Sequence, residues 1–204
     1  MLQGLDLWKS FNGIVAVRGV YITLHTGVNC IRGPNGAGKT TLLKILSLLE
    51  KPDRGAVVVF GRRVEADRWA EADRLRGRVA YVPQTPDLFA VPVKALFSLC
   101  SDRSAASKWA AYFGLARFTD RNAMSLSPGA RRRLQLALAF ACAKEALLLD
   151  EPESYLDEEA RGLLADALRG VADRLVVGYV SHDEPLVPCR YSYLMSGNSV
   201  RPAP

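Results

Sequence analysis

The segment Gly33-Pro34-Asn35-Gly36-Ala37-Gly38-Lys39-Thr40-Thr41 constrains this chain more than any other. It has the spacing G-x-x-x-x-G-K-T, and its residue types serve one chemistry. Gly33, Gly36 and Gly38 let the backbone turn through positive φ, so successive N–H groups can converge on an anion. A helix beginning at the end of the loop adds the partial positive charge of its N-terminus. Lys39 brings a full charge for the outer phosphates, and the Thr40 hydroxyl is a hard oxygen of the kind Mg²⁺ accepts. The flanks fit a phosphate-binding loop set between a strand and a helix. Gly27-Val28-Asn29-Cys30-Ile31-Arg32 is a partly apolar run of strand length, and Leu42, Ile45, Leu46 and Leu49 follow at i, i+3, i+4 and i+7 of one helical face.

The other strand signals place more chemistry at strand ends. Short apolar runs before residue 26, such as Val15-Ala16-Val17 and Val20-Tyr21-Ile22-Thr23-Leu24, read as strands with turns at Asn12-Gly13 and Thr26-Gly27. Ala56–Phe60 is a further strand. From Arg62 to Arg78 the charges are dense and mixed, which predicts a solvated helix or loop. Arg78–Val82 is a strand stopped by Pro83, with Gln84 just beyond it. Residues 93–113 turn helical, without a strand signal, and are expected to form a separate arm ending at Gly114. Ser127 is a favoured N-cap and Pro128 a favoured first helical residue, so a helix should begin there and run through an apolar stretch to Ala143. The triplet Arg131-Arg132-Arg133 at its start reads as a solvated or subunit-facing surface.

Ala146-Leu147-Leu148-Leu149 is fully apolar, as in a central parallel strand, and ends in Asp150-Glu151. A helix closed by Gly170 follows. Leu175–Val180 is the next buried strand, ending at Ser181-His182-Asp183, and residues 191–200 read as a hairpin turning at Gly197-Asn198. Strands alternating with helices predict an α/β fold with a mostly parallel sheet, where ligands bind beyond the carboxyl ends of the strands. The phosphate loop, Gln84, Asp150-Glu151 and His182 all fall at such ends.

The remaining bounds are broad. The 204 residues, 49% of them hydrophobic, suffice for a packed core, and one domain over 1–204 is expected, with the helical arm at 87–127 as a subdomain. A net charge of +6 permits an anionic partner without requiring one. Cys30, Cys100, Cys142 and Cys189 stand far apart with no C-x-x-C pair, which excludes zinc-type and thioredoxin-type spacing; they read as buried thiols in a reducing cytoplasm. The first residues lack a basic segment followed by an apolar core, and the longest apolar run, 134–149, is interrupted by Gln135, Lys144 and Glu145. A soluble protein is expected, with any membrane role supplied through a partner.

The ordered set of motifs resembles that of ATP-binding-cassette (ABC) ATPases, the nucleotide-binding subunits of ABC transporters. It comprises the Gly33–Thr41 loop, Tyr81-Val82-Pro83-Gln84, Leu126-Ser127-Pro128-Gly129-Ala130, Leu147-Leu148-Leu149-Asp150-Glu151-Pro152, Ser154-Tyr155-Leu156-Asp157 and Ser181-His182-Asp183. The resemblance covers nearly the whole chain. It implies a P-loop NTPase of the ABC type, with an N-terminal antiparallel β subdomain and a small α-helical subdomain. It also implies ATP and Mg²⁺ as cofactors. Glu151 would polarise the attacking water, with His182, Lys39 and Gln84 acting beside it. Gly33 through Thr41 and Asp157, with Phe11 on the adenine and Ser127 and Gly129 across a dimer, would bind nucleotide. Thr40, Gln84 and Asp150 would hold the metal.

One motif departs from the family pattern L-S-G-G-Q: Pro128 replaces the first glycine and Ala130 the glutamine. Ser127 Oγ and the Gly129 N–H remain as donors at a helix N-terminus. In the family this motif completes the partner's site, so the expected partners are a second ATPase subunit, identical or not, and a membrane-spanning transporter subunit. The expected location is the cytoplasmic face of the membrane. The short arm between Gln84 and Leu126 resembles small exporter subunits. A soluble ABC ATPase of cluster assembly or nucleic-acid work, and a nucleotide switch paired with an active cassette, are the alternative readings. Nucleic acid is not an expected partner.

Overall fold

The computed structural model describes residues 1–182 and 184–203. In chain order the elements are β1 (Leu2–Phe11), β2 (Ile14–Leu24), β3 (Gly27–Arg32), α1 (Lys39–Leu46), β4 (Arg54–Val59), β5 (Arg62–Glu65), β6 (Val79–Val82), α2 (Val93–Phe97), α3 (Arg103–Tyr112), α4 (Pro128–Cys142), β7 (Ala146–Asp150), α5 (Glu158–Val171), β8 (Val176–Val180), β9 (Tyr191–Ser196) and β10 (Ser199–Pro202). They build two sheets. The first is antiparallel, in the order β2-β1-β4-β5. Its first hairpin closes at Asn12-Gly13, both with positive φ, the primed turn that matches strand twist. The second sheet has the order β10-β9-β3-β8-β7-β6 and is parallel except for β10.

The side chains of the parallel strands alternate between two cores, as period two requires. Ile31, Leu148, Val176 and Val180 join α1 and the antiparallel sheet in one cluster. Cys30, Leu147, Leu149, Val177 and Tyr179 join α4, α5 and the helical segment in the other. β7 and β8 are buried along their whole length, which accounts for their unbroken apolar sequences. Within the helical segment, Trp109 and Phe113 pack on Phe140 of α4, with ring centroids 4.7 and 5.9 Å away. Because all five parallel strands point the same way, the ends of β3, β6, β7 and β8 open at one edge of the sheet.

Several expectations change in detail. α1 stops at Leu46, Leu48 reverses the chain at φ 63°, and Leu49 is left 55% exposed rather than on the helical face. Residues 62–65 of the charged stretch form β5 beside β4, and 3₁₀ turns take up Ala66–Arg74 and Arg76–Arg78. α5 runs through Gly170 to Val171. The cysteines are not thiols: Cys30 pairs with Cys189 and Cys100 with Cys142, at Cα separations of 5.7 and 5.3 Å. The fold makes these pairs across 159 and 42 residues, since Cys189 leads into β9 beside β3, and Cys100 follows α2 onto the end of α4.

Candidate functional site

The site begins where β3 gives way to the loop ahead of α1. Gly38 is the N-cap of α1 at φ 94°, and a Cβ there would lie 2.0 Å from the Ala16 carbonyl oxygen, so no other residue fits. Lys39 turns back over the loop, its Nζ donating to the carbonyls of Gly33 at 2.7 Å and Pro34 at 2.9 Å. Burial pulls its pKa below the usual lysine value, opposed by the charges of Glu151 and Asp150.

β7 delivers the acidic pair. Asp150 is buried and accepts from the Tyr81 hydroxyl at 3.3 Å. Burial raises its pKa, a hydrogen bond with Thr40 opposes the rise, and neighbouring Glu151 adds to it. Thr40 and Asp150 thus already face each other. A hydroxyl, a carboxylate and the Gln84 amide oxygen make a hard-oxygen donor set that suits Mg²⁺.

Glu151 takes a left-handed backbone at φ 49°, which costs a residue with a side chain about 1–3 kcal/mol and persists only where its surroundings enforce it. The enforcement is visible on both sides of the residue. Its N–H donates to Val180 O at 2.9 Å, and its carbonyl accepts from Arg132 Nη2 at 2.9 Å. The turn aims the carboxylate at the loop. There Oε2 accepts from Gln84 Nε2 at 2.9 Å, and Oε1 meets His182 Nε2. His182 follows Ser181, whose hydroxyl, with that of Tyr179, hydrogen-bonds the buried Glu153 and fixes this strand end.

Asn35 to Thr41, Ala16, Gln84, Glu151 and His182 line one cleft of about 600 Å³. A larger groove lined by Arg62, Arg63 and Arg74 holds none of the strand-end residues. The cleft can take a polyanion against the loop N–H groups and Lys39, with a carboxylate opposite to orient a nucleophile. Four expected residues stand apart from it. Phe11 ends β1, 44% exposed, with the Lys9 ammonium 5.0 Å from its ring centre. Ser127 caps α4, accepting from the Ala130 N–H at 3.3 Å, and Gly129 lies in the first turn of that helix. Asp157 caps α5, accepting from the Ala160 N–H at 2.9 Å. Asp183 lies outside the described residues.

Arg132 overturns the reading of the arginine triplet as a surface. It is fully buried, the largest side chain so placed among the described residues. Besides Glu151 O, its guanidinium donates to the carbonyls of Pro83, Gln84 and Ser154 and to Gln135 Oε1. Burial lowers its pKa, and the carboxylates of Glu153, Asp150 and Glu151 act against that. The one trace in the sequence is Gln135, a polar residue a turn further along an apolar helix.

A family model described as ABC transporter matches residues 18–154. The chain belongs to this family, as an ABC nucleotide-binding domain. It is 36% identical over 197 residues to the Fe(3+) ions import ATP-binding protein FbpC 1 of Rhodococcus jostii (strain RHA1), covering 90% of this chain and 55% of that protein. It is 34% identical to the daunorubicin/doxorubicin resistance ATP-binding protein DrrA of Streptomyces peucetius, covering 84% of this chain and 54% of that one. The chain therefore spans about half the length of these relatives. Among solved structures, the ABC fold recurs in the post-hydrolysis dimer of the ATP-binding cassette MJ0796 bound to ADP and Pi. The TM-score is 0.84 at 22% identity, with 100% of this chain and 98% of that one covered. No helix among the described residues is long and apolar enough to cross a membrane.

Proposed function

We propose that this ABC domain binds MgATP and hydrolyses it as one half of a cassette pair, driving transport through a separate membrane-spanning subunit. The observation that carries the reading is the meeting of Lys39, Gln84, Glu151 and His182 around one glycine-rich loop. The loop N–H groups and the start of α1 receive the phosphates. Lys39, now held by two neutral carbonyls, exchanges them for phosphate oxygens, a stronger charge-assisted pairing. Thr40 and Asp150, with Gln84, are the residues that would hold Mg²⁺; when bound, it neutralises charge on the outer phosphates. Glu151 polarises the attacking water, and Gln84 and His182 orient its carboxylate. A ring N–H of His182, which lines the same cleft, is also the proposed donor to the outermost phosphate. Catalysis of this kind is chiefly positioning, so the pinned turn at Glu151 supports the assignment.

Ser127, Gly129 and Asp157 stand away from this cleft, in keeping with a role at the partner's nucleotide, and Phe11 is the proposed adenine platform. We take residues 1–204 as one cassette, with 87–127 as its helical subdomain, held at the cytoplasmic face by the membrane subunit. That location rests on the family alone, because paired cysteines no longer argue for a reducing compartment. An exporter type rests on the shortness of the helical segment.

The test is calorimetric titration of the full chain with MgATP, together with phosphate release at high protein concentration. Saturable binding and release that is lost in Lys39→Ala support the reading. Absence of binding to MgATP overturns it.

A further inference from the structure

The pairing around Arg132 goes beyond the residues that face the cleft. A guanidinium has five N–H donors in a fixed planar fork, and here each has its own acceptor. Nε donates to Ser154 O at 3.2 Å, Nη1 to Pro83 O at 2.6 Å and Gln135 Oε1 at 3.2 Å, and Nη2 to Gln84 O at 2.7 Å and Glu151 O at 2.9 Å. Gln135, one turn along α4, extends the grip, its Nε2 donating to Thr85 O at 3.1 Å and Asp87 O at 3.2 Å. Two neighbouring side chains of one helix therefore hold the carbonyls of residues 83, 84, 85 and 87, and one of them also holds Glu151. The same helix starts at Ser127, Pro128 and Gly129.

Most of these acceptors are main-chain groups next to functional side chains. Gln84 and Glu151 leave different strands, and their side chains meet each other at 2.9 Å. Arg132 donates to both of their carbonyls from a single nitrogen. Glu151 sits in the left-handed turn at φ 49° with its N–H held by Val180 O and its carbonyl held by Arg132. Moving α4 thus moves the Gln84 loop and the Glu151 turn together.

We propose that Arg132 is a positioning residue that locks Gln84 and Glu151 into register for hydrolysis and couples that register to the Ser127–Gly129 end of α4, with Gln135 steadying the loop beyond. Arg132 is fully buried and does not line the cleft; it acts through the backbone of Gln84 and Glu151, which do. The inference rests on the ATPase reading above. It commits to arginine specifically, since lysine keeps the charge but offers three donors from one point and cannot span five acceptors in a plane.

The test uses Arg132→Lys in the full chain, with turnover, KM, equilibrium MgATP affinity and thermal midpoint measured side by side. The loop and Lys39 that bind the phosphates are untouched, and Gln84 is only one of the groups that would hold the metal, so affinity and KM should change far less than kcat. Displacement of the Glu151 carboxylate should lower kcat by about 10²-fold, the scale of a small misplacement at a reacting centre. A parental kcat overturns the proposal, as does a kcat loss that is matched by equal losses of affinity and KM. If Arg132→Lys is unfolded at the assay temperature, Gln135→Leu decides, because it buries no charge and releases the carbonyls of Thr85 and Asp87. It should lower kcat several-fold at unchanged KM, and an unchanged kcat overturns the proposal. A parent chain that neither binds nor turns over MgATP would refute the ATPase reading, whereas an active parent with an equally active Arg132→Lys refutes this one alone.

Discussion

The side-chain amide of Gln84 donates to a carboxylate oxygen of Glu151 at 2.9 Å, joining the ends of β6 and β7 across 67 residues of sequence. The other oxygen of Glu151 meets His182 at the end of β8. One carboxylate therefore gathers three strand ends, and any ligand in the cleft meets a preset acidic group rather than a free side chain. The consequences can be measured one residue at a time.

Lys39→Ala removes the side-chain cation of the loop. Affinity for MgATP should fall by more than tenfold, and phosphate release should be lost, because the loop N–H groups alone cannot balance the outer phosphates. Calorimetry and a phosphate-release assay check this. Turnover within a few-fold of the parent would remove Lys39 from the mechanism.

Asp150→Asn should stabilise the protein when no nucleotide is added. Burial raises the folded pKa of Asp150, so the fold favours its neutral form. That contribution is fully present below the ordinary aspartate value of about 3.9 and is lost as pH rises through the raised folded value. The variant should melt above the parent at neutral pH, and the difference should close as pH falls toward about 4. It should also lose any Mg²⁺-dependent stabilisation by ATP. Melting curves across pH test both halves, and a variant that melts below the parent at neutral pH contradicts the first.

Phe11→Ala should weaken adenine-nucleotide affinity by about 1–3 kcal/mol if the ring carries the base. The ring is exposed at the end of β1, and the Lys9 ammonium lies over it 5.0 Å from its centre, so a base would take the other face or displace Lys9. Unchanged affinity would mean that Phe11 does no more than pack with Lys9.

Much of this arrangement was readable from the chain because strand ends announce themselves. Val82 before Pro83-Gln84, the unbroken run before Asp150-Glu151, and Val180 before Ser181-His182 each pair an apolar strand with a polar terminus, and the parallel sheet brings those termini together. Ser127 and Pro128 likewise declared the start of α4 through local capping chemistry. What escaped were pairings that only tertiary structure creates. Arg132 stands in a triplet whose one sign of a buried middle member is Gln135 a turn further on, and its other acceptors are main-chain carbonyls, which every residue carries. The cysteine pairs have no spacing signature, since β3 and β9 come together only in the sheet. Leu49 kept the helical period after α1 had ended, because the reversal at Leu48 has no glycine or proline to mark it.

Glu151→Gln tests the central claim, that this carboxylate governs hydrolysis at a shared ATP interface. Glutamine keeps the shape and removes the charge, so it relieves repulsion at the γ-phosphate while slowing attack by water. The measurement is size-exclusion chromatography with light scattering on the variant with ATP, with ADP, and with ATP after adding Ser127→Arg. The account predicts a dimer in the first case and monomers in the other two, because in the proposed pair only the γ-phosphate would reach the Ser127–Gly129 helix start of the opposite chain. A Glu151→Gln variant that hydrolyses ATP at the parental rate, or that binds ATP and stays monomeric at high concentration, would contradict it.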